Sequence, residues 1–246
     1  MKICIAQTSA IRGNIQQNID KHKKLVEFAA AHGAKIIFFP ELSLTGYEPG
    51  LAKELAVDLN DKRLGVFQEI SDDKNIIIGV GIPMKNSKGV TISMIFFQSK
   101  MPRRSYAKQI LHPDEYPYFV SGDRQLFLKL GNVKIAQAIC YELSIPRHAK
   151  HAHKYGAKIY LASVSKTPAG VAKAIKELSA IAKKYSMTTF LSNNVGICDN
   201  LECGGRSSVW NNMGLMMGQL NAQSEGLLIY DTDPGQLTVK KYEAII

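Results

Sequence analysis

The sequence predicts an α/β fold in which helices cover both faces of a mixed sheet. Short apolar segments of strand length alternate with amphipathic segments of helix length, and hairpin-like pairs of strands are inserted between them. With 246 residues, 46% hydrophobic and 21% charged, the chain can bury a sizeable core without a metal or disulfide. We therefore expect a single domain over residues 1–246.

The first half of the chain is predicted to begin with a strand, a helix and a second strand. Segments 2–7 and 34–39 are short and apolar, as in buried strands. Between them, segment 14–32 carries apolar residues at helical spacing and is closed by Gly33, so we expect a βαβ unit. Two hairpins are expected next, from strands 76–82 and 91–98 and from strands 126–130 and 133–139.

After Cys140 the pattern changes to alternating helices and strands. Thr167 can cap a helix and Pro168 fits its first turn, so a helix is expected from there to Tyr185, with apolar residues along one face. The other expected elements are a helix at 144–155 and strands at 158–163, 188–192, 207–210 and 226–230.

The chain is basic, with 31 Lys and Arg against 21 Asp and Glu and a formal net charge of +10. Such an excess can indicate a nucleic-acid partner. The basic residues are dispersed in small groups without a nucleic-acid motif, so we expect no such partner. A non-enzymatic, basic nucleic-acid-binding protein is kept as an alternative hypothesis.

The sequence also indicates a compartment. No apolar stretch reaches the roughly 18 to 20 residues that span a bilayer, and the N-terminus lacks the apolar core of a secretory signal. The four cysteines are few for this length, and Cys198 and Cys203 lack a nearby histidine pair for zinc. We expect a cytoplasmic protein with free thiols and no membrane partner.

Two polar residues stand where predicted strands end, which is where α/β proteins place functional groups. Glu41 follows IIFFP and Cys140 follows KIAQAI. Because Pro40 cannot donate to a sheet ladder, Glu41 should lie beside a hydrophobic wall, where desolvation raises the pKa of a carboxyl toward that of a useful base. Taken singly, a surface glutamate and a buried cysteine are the ordinary alternatives.

Three blocks of the sequence resemble the catalytic blocks of the nitrilase superfamily of carbon-nitrogen hydrolases. They are IIFFPELSLTGYEP, YAKQILHPDEYPYF and AICYELSIP, in that order. AQTSAIRGNIQQN resembles the opening strand and helix of the family, and SNNVG with GGRSSVWNNMGLMMGQ resembles its closing hairpin region. The resemblance implies a four-layer α-β-β-α sandwich of two mixed sheets, commonly assembled as a homodimer.

The resemblance also implies a catalytic triad of Glu41, Lys108 and Cys140. Glu115 matches an additional glutamate found near many of these sites. In this chemistry Cys140 attacks an amide carbonyl, Glu41 carries the proton, and Lys108 lowers the thiol pKa and, with the backbone N–H of Tyr141, stabilises the oxyanion. No metal or organic cofactor is needed.

The expected reaction is hydrolysis of a small linear amide or carbamoyl compound through a thioester. Nitrile hydrolysis and acyl transfer use the same residues, so the triad does not choose among them. We expect Tyr47, Glu142 and Ser165 to contact substrate.

Two other arrangements compete with this site. Cys140 with His112 would form a papain-like pair, although an orienting Asn or Asp is not identified. His148, His151 and His153 stand at helical spacing and could bind a metal, but a solvated helix explains them more simply.

The residues after the nucleophile bear on the substrate. Relatives that act on carboxylate-bearing substrates often have an Arg within four residues of the cysteine, whereas here the first cation is Arg147. The sequence therefore favours a neutral or amine-bearing amide, which Glu142 or Glu48 could assist. A substrate carboxylate would need Lys166 or Arg206 instead.

Overall fold

The computed structural model describes residues 1–233 and 236–241, so part of the predicted domain, 1–246, lies outside the described residues. The helices are α1 (Ile15–Ala31), α2 (Ala52–Leu55), α3 (Gly65–Lys74), α4 (Pro146–Lys154) and α5 (Pro168–Tyr185). The strands are β1 (Lys2–Gln7), β2 (Ile36–Phe38), β3 (Ile77–Asn86), β4 (Gly89–Phe97), β5 (Arg104–Ala107), β6 (Phe127–Leu130), β7 (Val133–Ile139), β8 (Ile159–Val164), β9 (Thr188–Asn193), β10 (Val195–Cys198), β11 (Leu201–Gly204), β12 (Ser208–Trp210), β13 (Met216–Gln219), β14 (Gly226–Asp231) and β15 (Gln236–Lys241).

Within the described residues the strands form two large mixed sheets and one ribbon. Seven strands make the first sheet, in the order β15-β14-β1-β2-β3-β4-β5, and six make the second, in the order β13-β12-β9-β8-β7-β6. The centre of each is parallel, β1-β2-β3 in the first and β7-β8-β9 in the second. Strands β10 and β11 pair as a separate antiparallel ribbon.

The apolar side chains of the central strands alternate between the two faces of each sheet and form three apolar layers. Ile5 and Phe38 point from the first sheet into the interior between the sheets, where they join Leu161 and Phe190 of the second. Their neighbours on the opposite face of the first sheet pack under α1 and α3, and those of the second sheet pack under α4 and α5. Because side chains alternate faces along a strand, these layers give the α-β-β-α sandwich, and the predicted fold class is confirmed.

The helix ends follow the local sequence. The Asn14 side chain accepts from the backbone N–H of Gln17 and caps α1, and Gly33 after the helix adopts φ +80°. Thr167 caps α5 by accepting from Gly170 N, with Pro168 in the first turn. The predicted βαβ unit, both hairpins and both later helices are present.

Several elements were not predicted. Strand β5, helices α2 and α3, strand β13 and the β10-β11 ribbon are short or lack a strong apolar period. No helix in the part of the chain that the structure describes is both long and apolar enough to cross a membrane.

The two sheets are joined by hydrogen bonds where their parallel strands end. Ser163 Oγ at the end of β8 donates to the carbonyl of Phe39, which follows β2, at 2.8 Å. Asn194 Nδ2, after β9, donates to the carbonyl of Glu41 at 3.1 Å. Both donors are buried. These bonds place the segment after β2 at the ends of β8 and β9, and because β7 is parallel to β8, Cys140 after β7 lies at the same end of the sandwich.

Candidate active site

Glu41 lies in a tight turn that packs directly on the next strand. The turn 41–45 follows β2, and Leu44 N donates to the carbonyl of Gly81 in β3 at 3.0 Å. A Cβ at Gly81 would lie 2.4 Å from Leu42 N and 2.5 Å from Pro40 O, so this approach requires glycine. Leu42 itself adopts φ +51°. The backbone of Glu41 is therefore fixed by its contact with β3.

Lys108 directly follows β5 and forms ion pairs with two carboxylates. Its Nζ donates to Glu41 Oε1 at 2.9 Å and to Glu115 Oε1 at 2.6 Å. All three side chains are at most 2% exposed. Buried charges are stable only when paired. Burial lowers the pKa of Lys108, but its two carboxylates and the nearby thiol of Cys140 outweigh burial and raise it, so Lys108 stays cationic.

Glu115 is held by a turn of its own. It ends the 3-10 turn Pro113–Glu115, and its Oε2 accepts from the backbone N–H of His112 at 2.8 Å. Its Oε1 also accepts from the hydroxyl of Tyr47 at 2.9 Å. The predicted site residues Tyr47, Glu115 and Lys108 therefore form one hydrogen-bonded chain that leads to Glu41.

Cys140 begins the 3-10 turn Cys140–Ser144 directly after β7, with a left-handed backbone at φ +45°. Non-glycine residues rarely adopt this conformation, and strain of this kind concentrates at functional sites. Burial raises the pKa of the thiol to about 11, and Glu41 acts in the same direction, while Lys166 and Lys108 lower it. Lys108 thus lowers the thiol pKa as predicted, but burial and Glu41 outweigh it. The free site holds a protonated thiol.

Glu41 is placed to take that proton. Burial is the largest cause that raises its pKa, Glu115 adds to it, and Lys108 and a hydrogen bond from Cys140 oppose it. Its Oε2 is buried and has no nitrogen or oxygen partner among the residues that the structure describes. A carboxylate with a raised pKa, a free oxygen and a neighbouring thiol is suited to general-base work.

Glu142 does not lie where a substrate contact would require. It is fully buried, and its Oε1 accepts from Tyr106 Oη at 2.7 Å and Gln109 N at 2.6 Å. Its Oε2 accepts from Ile139 N at 2.7 Å. The geometry therefore goes against our expectation that Glu142 binds substrate, because Oε1 is occupied by Tyr106 and Gln109 and Oε2 by the end of β7. Burial raises its pKa to about 7.

Cys140 opens into a cavity of about 270 Å³, at the small end for ligand sites. The predicted residues Tyr47, Glu115, Tyr141 and Ser165 line it. The N–H of Tyr141 belongs to the first residues of its turn, where helical N–H groups have no acceptor within the helix. It can therefore donate to an oxyanion formed at Cys140.

The cavity also contains residues that were not assigned to the site from the sequence. They are Asp114 beside Glu115, Thr167 and Gly170 at the start of α5, and Cys198, Asp199, Leu201 and Cys203 from the β10-β11 ribbon. Ser165 Oγ lies 3.4 Å from Cys203 Sγ and accepts from Asn194 at 3.1 Å. Apart from Asp114, none of them lies within the sequence blocks that resemble the family, although the ribbon residues lie between the blocks SNNVG and GGRSSVWNNMGLMMGQ. Lys166, named above only as a substitute cation, lines the cavity as well.

The structure does not favour the competing histidine arrangements. His112 lines the cavity, but it is half exposed and its Nδ1 lies 2.6 Å from Asp114 Oδ1. Glu41, not His112, is the charged group with the largest effect on the Cys140 thiol. His148 contacts Tyr106 and Tyr160 in the buried network around Glu142. Over residues 1–233 and 236–241, no group of three His, Cys, Asp or Glu side chains is arranged to hold a metal ion.

The other charged residues considered for substrate binding lie elsewhere. Arg147 lines a different cavity beside Gln109. Arg206 Nε approaches Gln219 Oε1 at 3.5 Å, and neither residue lines the cavity at Cys140. Glu48 pairs with Arg12 at 2.9 Å.

Comparison with known proteins places the chain in a family. The carbon-nitrogen hydrolase family model matches residues 2–242. The chain is 24% identical over 247 residues to the glutamine-dependent NAD(+) synthetase of Thermotoga maritima, covering 95% of this chain and 42% of that protein. It is 26% identical over 250 residues to the same enzyme of Acinetobacter baylyi, covering 98% and 46%. The chain thus spans less than half of these relatives.

Two further similarities cover most of both proteins. Nitrilase 3 of Arabidopsis thaliana is 24% identical over 284 residues, which are 98% of this chain and 81% of that protein. A solved structure of an amidase variant from Nesterenkonia sp. AN1, with acrylamide added at its active-site cysteine, superposes with a TM-score of 0.85 at 24% identity over 94% of this chain and 92% of that one. The structural similarity establishes the shared fold. With a family model that matches nearly the whole sequence, the chain belongs to the carbon-nitrogen hydrolases of the nitrilase superfamily, enzymes that act on carbon-nitrogen bonds.

Proposed function

We propose that this enzyme hydrolyses the terminal amide of a small molecule through a thioester on Cys140. The observation that carries the proposal is the placement of Cys140 beside a buried Lys108 that bridges Glu41 and Glu115 at the wall of a small cavity. The family of the chain supports carbon-nitrogen chemistry in general, and the names of its relatives support an amide. Glutamine carries a primary amide, and the Nesterenkonia protein is an amidase.

In the first half of the proposed reaction, Cys140 Sγ attacks the amide carbon while its proton passes to Glu41. The carbonyl oxygen becomes an oxyanion, which Lys108 and the N–H of Tyr141 stabilise. Removal of one such donor typically costs about 100- to 1,000-fold in kcat. Glu41 then returns the proton to the amide nitrogen, the carbon-nitrogen bond breaks, and ammonia leaves a thioester on Cys140.

In the second half, water replaces ammonia. Glu41, again unprotonated, takes a proton from water, and the hydroxide attacks the thioester carbon. Collapse of the second oxyanion breaks the carbon-sulfur bond and releases a carboxylic acid, while the thiol recovers its proton. The protein supplies every group that this cycle requires.

The test is ammonia release over primary amides, ureido acids and nitriles, with mass spectrometry of the protein quenched during turnover. We expect release from amides and an acyl adduct on the peptide that contains Cys140. Cys140→Ala should abolish turnover and Glu41→Gln should nearly do so. Release from nitriles alone would support the nitrilase alternative instead.

The chain offers a matched control within the same cavity. Cys203→Ala removes a thiol that lines the cavity without touching the Lys108 network, and it should keep forming the Cys140 adduct. Adducts confined to Cys198 or Cys203, or turnover that survives in Cys140→Ala, would contradict the proposal.

A further inference from the structure

Lys166 brings a positive charge into the cavity that the proposed reaction does not use. It follows β8 and lines the same cavity as Cys140, and its side chain is half-buried. Among the cations, Lys166 lowers the thiol pKa more than Lys108 does, which shows that its charge acts on the reacting sulfur. A charge at this place would act on a bound substrate as well.

The two lysines differ in their partners. Lys108 is already paired with two carboxylates, Glu41 and Glu115, which more than compensate its single positive charge. Lys166 Nζ forms no ion pair or hydrogen bond with any residue in the described part of the chain. Asp114 also lines the cavity, but its carboxylate is engaged with His112. Lys166 is therefore the cation of this cavity that remains available to a ligand.

The backbone of Lys166 is fixed, so its side chain starts from a defined position at the cavity wall. Its N–H donates to Asn193 Oδ1 at 2.9 Å, and its carbonyl accepts from Asn193 Nδ2 at 3.1 Å and from Gly204 N at 2.8 Å. The residue lies directly before Thr167, the cap of α5, and the start of that helix adds positive potential at the same wall. An anionic group placed here is favoured by both charges.

We infer that Lys166 binds a carboxylate of the substrate, so that the enzyme prefers small amides that carry a free carboxylate at the end opposite the amide. This inference rests on the proposed function, because it assumes that an amide occupies the cavity at Cys140. It replaces the expectation of a neutral substrate drawn from the missing arginine after the nucleophile. The proposed carboxylate partner comes from the segment between β8 and α5 instead of from the cysteine turn.

The test compares butyramide with succinamate, which differ by a terminal carboxylate on a chain of the same length. We expect the wild-type kcat/KM to be at least about tenfold higher for succinamate, equivalent to about 1.4 kcal/mol. Lys166→Met should abolish this preference mainly through KM, and Lys166→Arg should restore most of it.

Two controls separate binding from other roles of Lys166. Lys173→Met removes an exposed lysine of α5, which approaches Glu177 at 3.8 Å, and should leave both substrates unaffected. If Lys166 acts only on the thiol, Lys166→Met will lower kcat/KM equally for both amides and shift the pH profile of Cys140 alkylation by iodoacetamide. That equal loss, or equal wild-type rates for both amides, would overturn the inference.

A binding measurement distinguishes failure of this inference from failure of the proposed function. Calorimetric titration of Cys140→Ala with succinamate should detect binding that is lost in Cys140→Ala/Lys166→Met. If wild type hydrolyses no amide while this binding depends on Lys166, the proposed reaction is wrong and the carboxylate site stands. If turnover occurs and succinamate binds equally well with and without Lys166, the proposed reaction stands and the carboxylate site is wrong.

Discussion

At the scale of the residue, burial raises the pKa of Glu41 most, and the charges of Lys108 and Glu115 then act on it in opposite directions. Glu115 raises the pKa of Glu41 and Lys108 lowers it. Removing the negative charge of Glu115 should therefore lower the pKa of Glu41. Because the acid limb of kcat/KM reports the essential base of the free enzyme, Glu115→Gln should move that limb to lower pH and also lower kcat, since Lys108 loses a partner.

Measurement of kcat/KM from pH 4 to 9 for both proteins checks this prediction. Tyr47→Phe is the matched control, because it removes a hydrogen bond to Glu115 but leaves its charge. Its acid limb should move less than that of Glu115→Gln. A limb that stays in place or moves to higher pH in Glu115→Gln would show that Glu115 does not act on the base.

His22 gives a second prediction at this scale. It is buried in α1, stacked on Phe39 with ring centroids 3.9 Å apart, and its ring nitrogens have no partner among the described residues. Burial lowers its pKa to about 3. The unfolded chain takes up this proton below about pH 6.5. The contribution of neutral His22 is thus present above that pH and is lost as the pH falls toward 3.

We expect that loss to reach roughly 2 kcal/mol of unfolding free energy by pH 5. In His22→Phe, the difference in unfolding free energy between pH 7.5 and pH 5, measured by urea denaturation, should shrink by about this amount. Some acid sensitivity should remain, since burial also lowers the pKa of His148 to about 3. An unchanged difference would mean that water reaches the His22 ring.

Residue identities at the site were partly predictable. Glu41 and Cys140 follow apolar strands directly, and the blocks that resemble the family contain Lys108 and Glu115. Lys166, Cys198 and Cys203 come from segments distant in sequence, and only the packing of α5 and the ribbon brings them to one cavity. The opposite error concerns Glu142, where adjacency to the nucleophile suggested a substrate contact although the chain turns the carboxylate inward.

At the scale of the element, Gly81 in β3 fixes the position of the turn that contains Glu41. A Cβ at Gly81 would meet the backbone of both Pro40 and Leu42 at 2.5 Å or less, and backbone atoms cannot move aside as a flexible side chain can. Gly81→Ala should therefore push the turn 41–45 away from β3 and displace Glu41 from Cys140. Overpacking of this kind typically costs about 1 to 3 kcal/mol of stability. The fall in kcat/KM, expressed as a free energy, should exceed the fall in unfolding free energy.

The measurement is kcat/KM together with the urea midpoint for Gly81→Ala and for Gly50→Ala. Gly50 is the matched control, because a Cβ there meets nothing within 4 Å. Gly50→Ala should keep both quantities. A Gly81→Ala protein that folds and turns over normally would show that the position of Glu41 does not depend on this contact.

The elements that sequence reasoning found are those with a clear period or a clear end. Helix α5 has a cap, a first-turn proline and an apolar face, and all three were visible. Strand β5 is four residues long, is half-exposed and begins with Arg104, so nothing marks it as a strand except its pairing with β4. The ribbon turns through Asp199 and Asn200, both at positive φ, without the glycine that usually signals such a hairpin.

At the scale of the whole molecule, the basic character of the chain does not determine its class. The family identifies an enzyme, which decides against the non-enzymatic alternative. The net charge of +10 remains, and Lys166 at the cavity is one of the residues that contribute to it. The proposed carboxylate site at Lys166 would connect part of this basic excess to an anionic substrate, and the expectation of no nucleic-acid partner stays a prediction.

The outer face of α4 and α5 supports a proposal about assembly. A groove of about 240 Å³ runs between these helices, and its wall includes Leu143, Ala149, Ile181 and Tyr185. The helices already cover the second sheet with their inner faces. We propose a homodimer in which α4 and α5 pack against the same helices of a second copy, as the family resemblance implies.

A two-fold interface contains each substitution twice, so one charge on this face places two charges against each other. Ile181→Glu should therefore convert the dimer to a monomer at micromolar concentration, as measured by multi-angle light scattering. Lys24→Glu, on the exposed face of α1, is the control and should leave the mass unchanged. A wild-type mass of one chain would contradict the dimer and would leave the chemistry at Cys140 untouched, because every residue proposed for that chemistry belongs to a single chain.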